Sequence, residues 1–296
     1  MTRRLTTLAW AAAVCTYLLI VLGAVVRITG SGLGCGEHWP LCNGHLFPPL
    51  NDIGTVIEWS HRLVAGLVTI LVVALAVPGL APGVRKSNAR FVALGLLIVQ
   101  VLLGAITVKL ALPAWTVVLH LGTAMLLLAT LLTISTGSSP GLRPGSATLL
   151  LLAFVTVLFG ALTENLGAAA ACGGFPLCNG QVWTTAGQLA VIHWTHRLLA
   201  YSLTIVAAIG AARSRRTGPA VVLLMVLLQI IVGATMVLNG LPRVLQAVHV
   251  AVGAAVWASV VLASPFSLPP QSNEAPGLTS PGPRADSREK RVSSTS

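Results

Sequence analysis

Two short stretches carry most of the side-chain chemistry in this sequence. Glu58-Trp59-Ser60-His61-Arg62 returns as His193-Trp194-Thr195-His196-Arg197, and each stands at the head of a long apolar run. A carboxylate, three imidazoles and two guanidinium groups are costly to place beside hydrocarbon. Ionisable groups in such segments mark functional sites by default. Two more histidines, His120 and His249, open apolar runs of their own.

The elements that must position these groups are membrane helices. The 296-residue chain is 55% hydrophobic and only 8% charged, with a mean hydropathy of +0.87. Soluble domains carry about 25% charged residues. The formal charge of +11 does not point to nucleic acid, because the basic residues fall between apolar runs and form no basic face with interleaved aromatics. Runs of roughly 17 to 25 uncharged residues span a bilayer. They predict helices over 6–28, 56–77, 91–110, 116–136, 147–166, 189–212, 219–238 and 244–263. Arg3, Arg4, Arg85, Lys86, Arg90, Arg143, Arg213, Arg215, Arg216 and the basic residues of the tail share one side, while Lys109 and Arg243 lie on the other. The positive-inside rule makes the first side, with both termini, cytoplasmic. The first run is long for a signal peptide and lacks a small-residue cleavage site, so it is read as a retained helix. Cys15 within it is read as a packing residue.

The chain repeats itself. Leu41-Cys42-Asn43-Gly44 recurs as Leu177-Cys178-Asn179-Gly180, and Glu58 and His61 match His193 and His196 at the offset 135. Gln100, Gly104, Pro113 and His120 match Gln229, Gly233, Pro242 and His249 at the offset 129. Four helices per copy return the chain to its starting side, so the copies are parallel. The expected fold is an all-α integral membrane protein of eight helices, two four-helix bundles related by a pseudo-two-fold along the membrane normal. The expected units are 1–136, 137–263 and a Pro- and Ser-rich disordered tail, 264–296.

Helical rise places the four helix-borne histidines at one depth. His61, His120 and His196 each lie 16 positions, and His249 14, before the inner ends of their runs. That is roughly 24 Å up a hydrocarbon core about 30 Å thick. A lone histidine at such a place is usually a satisfied core residue; four at one level, paired by a repeat, point to metal chemistry. A small metal needs three or four ligands on one point, whereas haem iron takes axial ligands from opposite faces of a flat ring. One histidine per helix, two per copy, suits two haem sites. His193-x-x-His196 is a second, weaker metal pattern, and His38 and His45 read as surface residues.

Cys35 with Cys42 and Cys172 with Cys178 lie in the two long outer loops, on the oxidising side where disulfides persist. Each pair reads either as a structural staple or as a redox couple. Position 58 differs between copies, being Glu in one and His193 in the other. Glu58 and His61 share a helix face, so the carboxylate can serve as a base or stabilise developing positive charge; its alternative role is an ion pair with Arg62 or Arg27. Arg62 and Arg197 suit haem propionates or simply snorkel to the interface. Arg27 aligns with Glu164 at the offset 137, where a helix-end ion pair is the only role legible.

At these residues the sequence resembles the heme A synthase family, bacterial and mitochondrial. The matching segments are Arg27-Ile-Thr-Gly-Ser-Gly-Leu-Gly-Cys35, Trp39-Pro-Leu-Cys42-Asn-Gly44, Glu58-Trp-Ser-His-Arg62, His120-Leu-Gly, and His193-Trp-Thr-His-Arg197 with His249. The resemblance covers residues 6 to about 263. It implies an oxidoreductase of the bacterial cell membrane that oxidises the C8 methyl of heme O to the formyl group of heme A, for assembly of aa3-type cytochrome oxidase. It implies His61 and His120 as axial ligands of the substrate haem, His196 and His249 as ligands of a heme b cofactor, Glu58 as the catalytic carboxylate and Cys35–Cys42 as the first-loop pair. Heme O synthase and oxidase assembly factors are the implied partners. The alternative is a b-type cytochrome passing electrons from quinol, for which an acid in one copy only has no use. A transporter with parallel repeats is disfavoured by the ligand-like histidines.

Overall fold

The computed structural model describes residues 3–49, 51–77, 88–137, 144–184 and 186–264. They form eight α-helices: α1 (Arg3–Ile28), α2 (Ile53–Ala76), α3 (Asn88–Lys109), α4 (Ala114–Thr136), α5 (Pro144–Asn165), α6 (Gln188–Arg213), α7 (Thr217–Leu238) and α8 (Arg243–Ala263). Each is long and apolar enough to cross a membrane. In lipid every backbone polar group must find a partner within the protein, which an uncharged run achieves by closing its own helical ladder. All helix ends lie within three residues of those expected from the charges. The expected disordered tail, from residue 265 on, and most of the inner connections at 78–87 and 138–143 lie outside the described residues.

Local chemistry sets the outer ends of the helices. Asp52 caps α2, its carboxylate accepting the backbone N–H of Thr55 at 2.7 Å and the Thr55 hydroxyl at 3.0 Å. Helices α4 and α8 both start after a proline, Pro113 and Pro242. The residue before each, Leu112 (φ 63°) and Leu241 (φ 61°), is left-handed. The repeat thus reproduces a turn as well as a sequence.

The core centres on α4, whose Met125, Leu127, Leu128 and Leu131 are fully buried. Helix α4 packs on α1, α3, α5 and α8, and α1 also packs on α8. Ala9, Ala12, Ala13 and Thr16 are buried along one face of α1; such small residues let membrane helices approach closely. Tyr17 donates to the Ala251 carbonyl at 3.0 Å and the Trp257 indole to that of Met125 at 2.8 Å, so α1 and α4 are tied to α8. Helices α2, α3, α6 and α7 carry exposed apolar residues such as Ile70, Leu102, Ile205 and Leu224, as lipid-facing helices do. Cys15 is a half-buried free thiol against the core.

Candidate functional site

The loops between α1 and α2 and between α5 and α6 fold as two versions of one lid. Cys35–Cys42 and Cys172–Cys178 are disulfides, with Cα atoms 4.3 Å and 4.7 Å apart. The Leu-Cys-Asn-Gly repeat is a tight hairpin in each. Cys42 and His45 exchange two backbone bonds of 2.9 Å, and Cys178 pairs likewise with Gln181. Asn43 (φ 51°) with Gly44 (φ 81°), and Asn179 (φ 54°) with Gly180 (φ 77°), form the central pair. Positive φ at both positions is what the hairpin turn that matches strand twist requires, and Asn-Gly supplies it at least cost. His38 and His45 are exposed, as expected.

Each lid is seated on the helix below by the arginine of the repeated motif. Arg62 donates to the carbonyls of His38 (3.1 Å) and Leu41 (2.7 Å) and forms an ion pair with Glu58 Oε1 at 2.6 Å. The other Glu58 oxygen accepts the Cys35 backbone N–H at 2.7 Å, and Glu58 is 3% exposed. Arg197 donates to the carbonyls of Cys172 (2.7 Å), Leu177 (2.9 Å) and Gly174 (3.0 Å) and to His193 Nε2 (3.2 Å). His193 Nδ1 donates to the Ala168 carbonyl at 3.1 Å. Both His193 nitrogens are therefore engaged by the protein, and His193 helps to anchor the second lid. Glu58 and His193 do the same mechanical work, but only Glu58 brings a charge.

Arg27 and Glu164, aligned by the repeat, meet through the backbone and not as an ion pair. Arg27 donates to the Asn165 side-chain oxygen at 2.8 Å and to the Glu164 backbone carbonyl at 3.3 Å. It ties the outer ends of α1 and α5 together and leaves the Glu164 carboxylate out of the contact.

Beneath the lids stand the four imidazoles. His61 and His196 are eight residues into α2 and α6, and His120 and His249 six residues into α4 and α8. At about 1.5 Å per residue they lie roughly 9 to 12 Å in from the N-terminal ends of their helices. Each ring is backed by a glycine of another helix. A methyl carbon on Gly23, Gly104, Gly160 or Gly233 would come within 3.2, 3.3, 2.9 or 3.0 Å of Cε1 of His61, His120, His196 or His249 respectively. Gly104 and Gly233 stand out in the sequence repeat. Gly23 and Gly160 escape sequence reasoning, although they share the offset 137 that relates Arg27 to Glu164.

The spacing of His196 and His249 suits a flat, iron-centred ring held from two sides. Metal–nitrogen bonds of about 2 Å each, with about 1 Å more to each ring centre, put facing imidazole centres roughly 6 Å apart. The His196 and His249 rings stand edge to face, their planes 78° apart and their centres 6.5 Å apart. His196 Nδ1 donates to the Thr156 carbonyl at 3.1 Å, which orients the ring and leaves Nε2 free of that bond, the arrangement usual for a histidine that binds a metal. The Nδ1 atoms of His61, His120 and His249 are buried without a partner. Among the described residues no three His, Cys, Asp or Glu side chains converge on one point.

A family profile described as cytochrome oxidase assembly protein matches residues 6–261. A Geobacillus kaustophilus protein named heme A synthase is 31% identical over 84% of this chain and 87% of its own length. Proteins of the same name from Exiguobacterium sp. and Bacillus licheniformis are 30% and 34% identical, over 75% and 66% of this chain and 80% and 71% of theirs.

Proposed function

Because the chain belongs to the COX15-CtaA family of cytochrome oxidase assembly proteins, we propose that it is a multi-pass membrane oxidoreductase that converts heme O to heme A. The reaction is oxidation of the C8 methyl of heme O to a formyl group. Family membership carries the reaction. The observation that supports its placement in the first half is the difference between two otherwise matching lids, Glu58 in one and His193 in the other.

In this reading His61 and His120 hold the substrate haem from its two faces. Glu58, one turn above His61 on the same face of α2, holds or accepts a proton next to the reacting edge. Its orientation is set by Arg62 on one oxygen and the Cys35 N–H on the other. The disulfide-closed lid limits access of water from the outer side. His196 and His249 hold heme b, which when bound supplies one-electron transfer. Arg62 and Arg197 face the propionates with the donors their lids leave free, which for Arg197 is a single N–H. The units 1–136 and 137–263, the pseudo-two-fold between them and the cytoplasmic termini belong to the same proposal, as do supply by heme O synthase and delivery to oxidase assembly factors.

The test is the pigment of the purified chain after co-expression with heme O synthase. Heme A together with a low-spin b-type haem supports the reading. A chain that retains heme b and never yields heme A overturns it.

A further inference from the structure

One pair of residues in each half has no part in the function proposed so far. Gln100 on α3 stands one turn before Gly104, and Gln229 on α7 one turn before Gly233, so each glutamine shares a face with the glycine that backs His120 or His249. In the structure the Gln100 amide nitrogen is 3.1 Å from His120 Nε2, and the Gln229 amide nitrogen is 3.1 Å from His249 Nε2. The Gln229 assignment follows from its second bond, to the His249 carbonyl at 3.0 Å, because a carbonyl only accepts. One hydrogen goes to that carbonyl and the other to Nε2.

An imidazole lone pair cannot serve a glutamine N–H and an iron at once. Resting on the ligand assignment above, we infer that Gln100 and Gln229 are reversible caps on the iron-binding nitrogens of His120 and His249, and that residues 123 and 252 set how readily each cap yields. The two halves differ at the glutamine oxygen. The Thr123 hydroxyl donates to Gln100 Oε1 at 2.6 Å. The position equivalent to Thr123 at the offset 129 is Val252, and Gln229 Oε1 is buried with no partner. The Thr123 hydroxyl also reaches the Leu119 and His120 carbonyls at 2.9 and 3.0 Å, with Gln100 Oε1 its shortest contact. The first cap therefore has a partner at its oxygen and competes better with haem than the second. The second carries an unpaired buried acceptor, a cost that would lapse where the glutamine gives way to haem. The opposite ligands tilt the same way, because His196 is oriented by the Thr156 carbonyl whereas His61 Nδ1 has no partner. The first half is built to exchange its haem, as a substrate site must, and the second to retain it.

Thr and Val are nearly isosteric, so the reciprocal swap tests this without disturbing the packing. Haem release from the purified full-length chain to apomyoglobin, followed optically, gives one rate for heme O in the first half and one for heme b in the second. Thr123→Val should slow heme O release about tenfold, and Val252→Thr should speed heme b release about tenfold, which is about 1.4 kcal/mol in each case. That lies at the low end of the cost of leaving a buried acceptor unpaired. Thr123→Ser keeps the hydroxyl and should release heme O at the parent rate. Haem that is held with a two-histidine spectrum but released at unchanged rates in both swaps, or shifted in the same direction by both, overturns the cap. A chain that holds no haem through these histidines overturns the function proposed above and the cap with it.

Discussion

Gly160→Ala tests whether the glycine behind each imidazole positions a ligand. The added methyl carbon would lie 2.9 Å from His196 Cε1, 3.4 Å from Nδ1 and 3.5 Å from Nε2. Carbon atoms in good contact sit about 3.5 to 4.0 Å apart, so the ring must retreat by roughly 0.6 to 1 Å. Metal–ligand distances tolerate about 0.2 Å, and the same shift pulls His196 from the Thr156 carbonyl, its bond being 3.1 Å. The variant should insert and fold, since Ala is the better helix former by about 0.8–1.0 kcal/mol, yet lose most of its low-spin heme b. Gly66→Ala, on α2, meets nothing within 4 Å and should keep its haem. The methyl-to-ring distances rank the four sites: Gly160 and Gly233, at 2.9 and 3.0 Å, should lose more haem than Gly23 and Gly104, at 3.2 and 3.3 Å. Haem-to-protein ratio by pyridine haemochrome, on chain that elutes as one species, reads the result. Full heme b with an unaltered spectrum in Gly160→Ala would refute the positioning role.

Other outcomes follow from the same geometry. His249→Ala should abolish the heme b spectrum while the chain still reaches the membrane; a variant with unchanged heme b removes His249 as a ligand. Arg197→Lys replaces a planar fork with a single ammonium, so the carbonyls of Cys172, Gly174 and Leu177 cannot all be met. The second lid should lose about 2 kcal/mol and become cleavable by protease, and an equally resistant lid would contradict the seating role. Hydrogen bonds from Thr55 hold the Asp52 carboxyl below its ordinary value. The cap it makes on α2 is therefore fully present above that ordinary value, about pH 3.9, and is lost as pH falls through the lower folded one. Asp52→Asn should remove this acid-side part of the melting-temperature profile, and an unchanged profile would count against the cap.

The sequence was legible where one physical rule dominates. Helix positions follow from charge-free length, so α1 to α8 emerge from where Arg, Lys, Asp and Glu are not. The common level of His61, His120, His196 and His249 follows from helical rise alone. Roles that depend on loop shape were not legible. Arg62 and Arg197 read as propionate grips or snorkelling cations because nothing in the linear pattern shows loop carbonyls turning back onto α2 and α6. The disulfide pairs could be named, but not the backbone bond that ties Cys35 to Glu58. Gly23 and Gly160 were hidden because glycine is common in membrane helices, and their contacts with His61 and His196 emerge only from how the helices pack. Gln100 and Gln229 were visible as repeat partners, yet their contact with His120 and His249 depends on how α3 meets α4 and α7 meets α8.

The central claim is that one half does the chemistry and Glu58 is the reason. Glu58→Gln keeps the size of the side chain and one of its two accepting oxygens, and removes its charge and its basicity. The iron ligands are untouched, so both halves should still hold haem. Loss of a positioned base typically costs 10² to 10⁴-fold in rate, whereas changing His193, its counterpart, should cost far less. The measurement is haem extraction and chromatography on Glu58→Gln purified from cells that also express heme O synthase. The account predicts heme b together with accumulated heme O, or a partly oxidised hydroxymethyl haem, and little heme A. Heme A at the parent level would contradict it and leave Glu58 as no more than the partner of Arg62 beneath the lid.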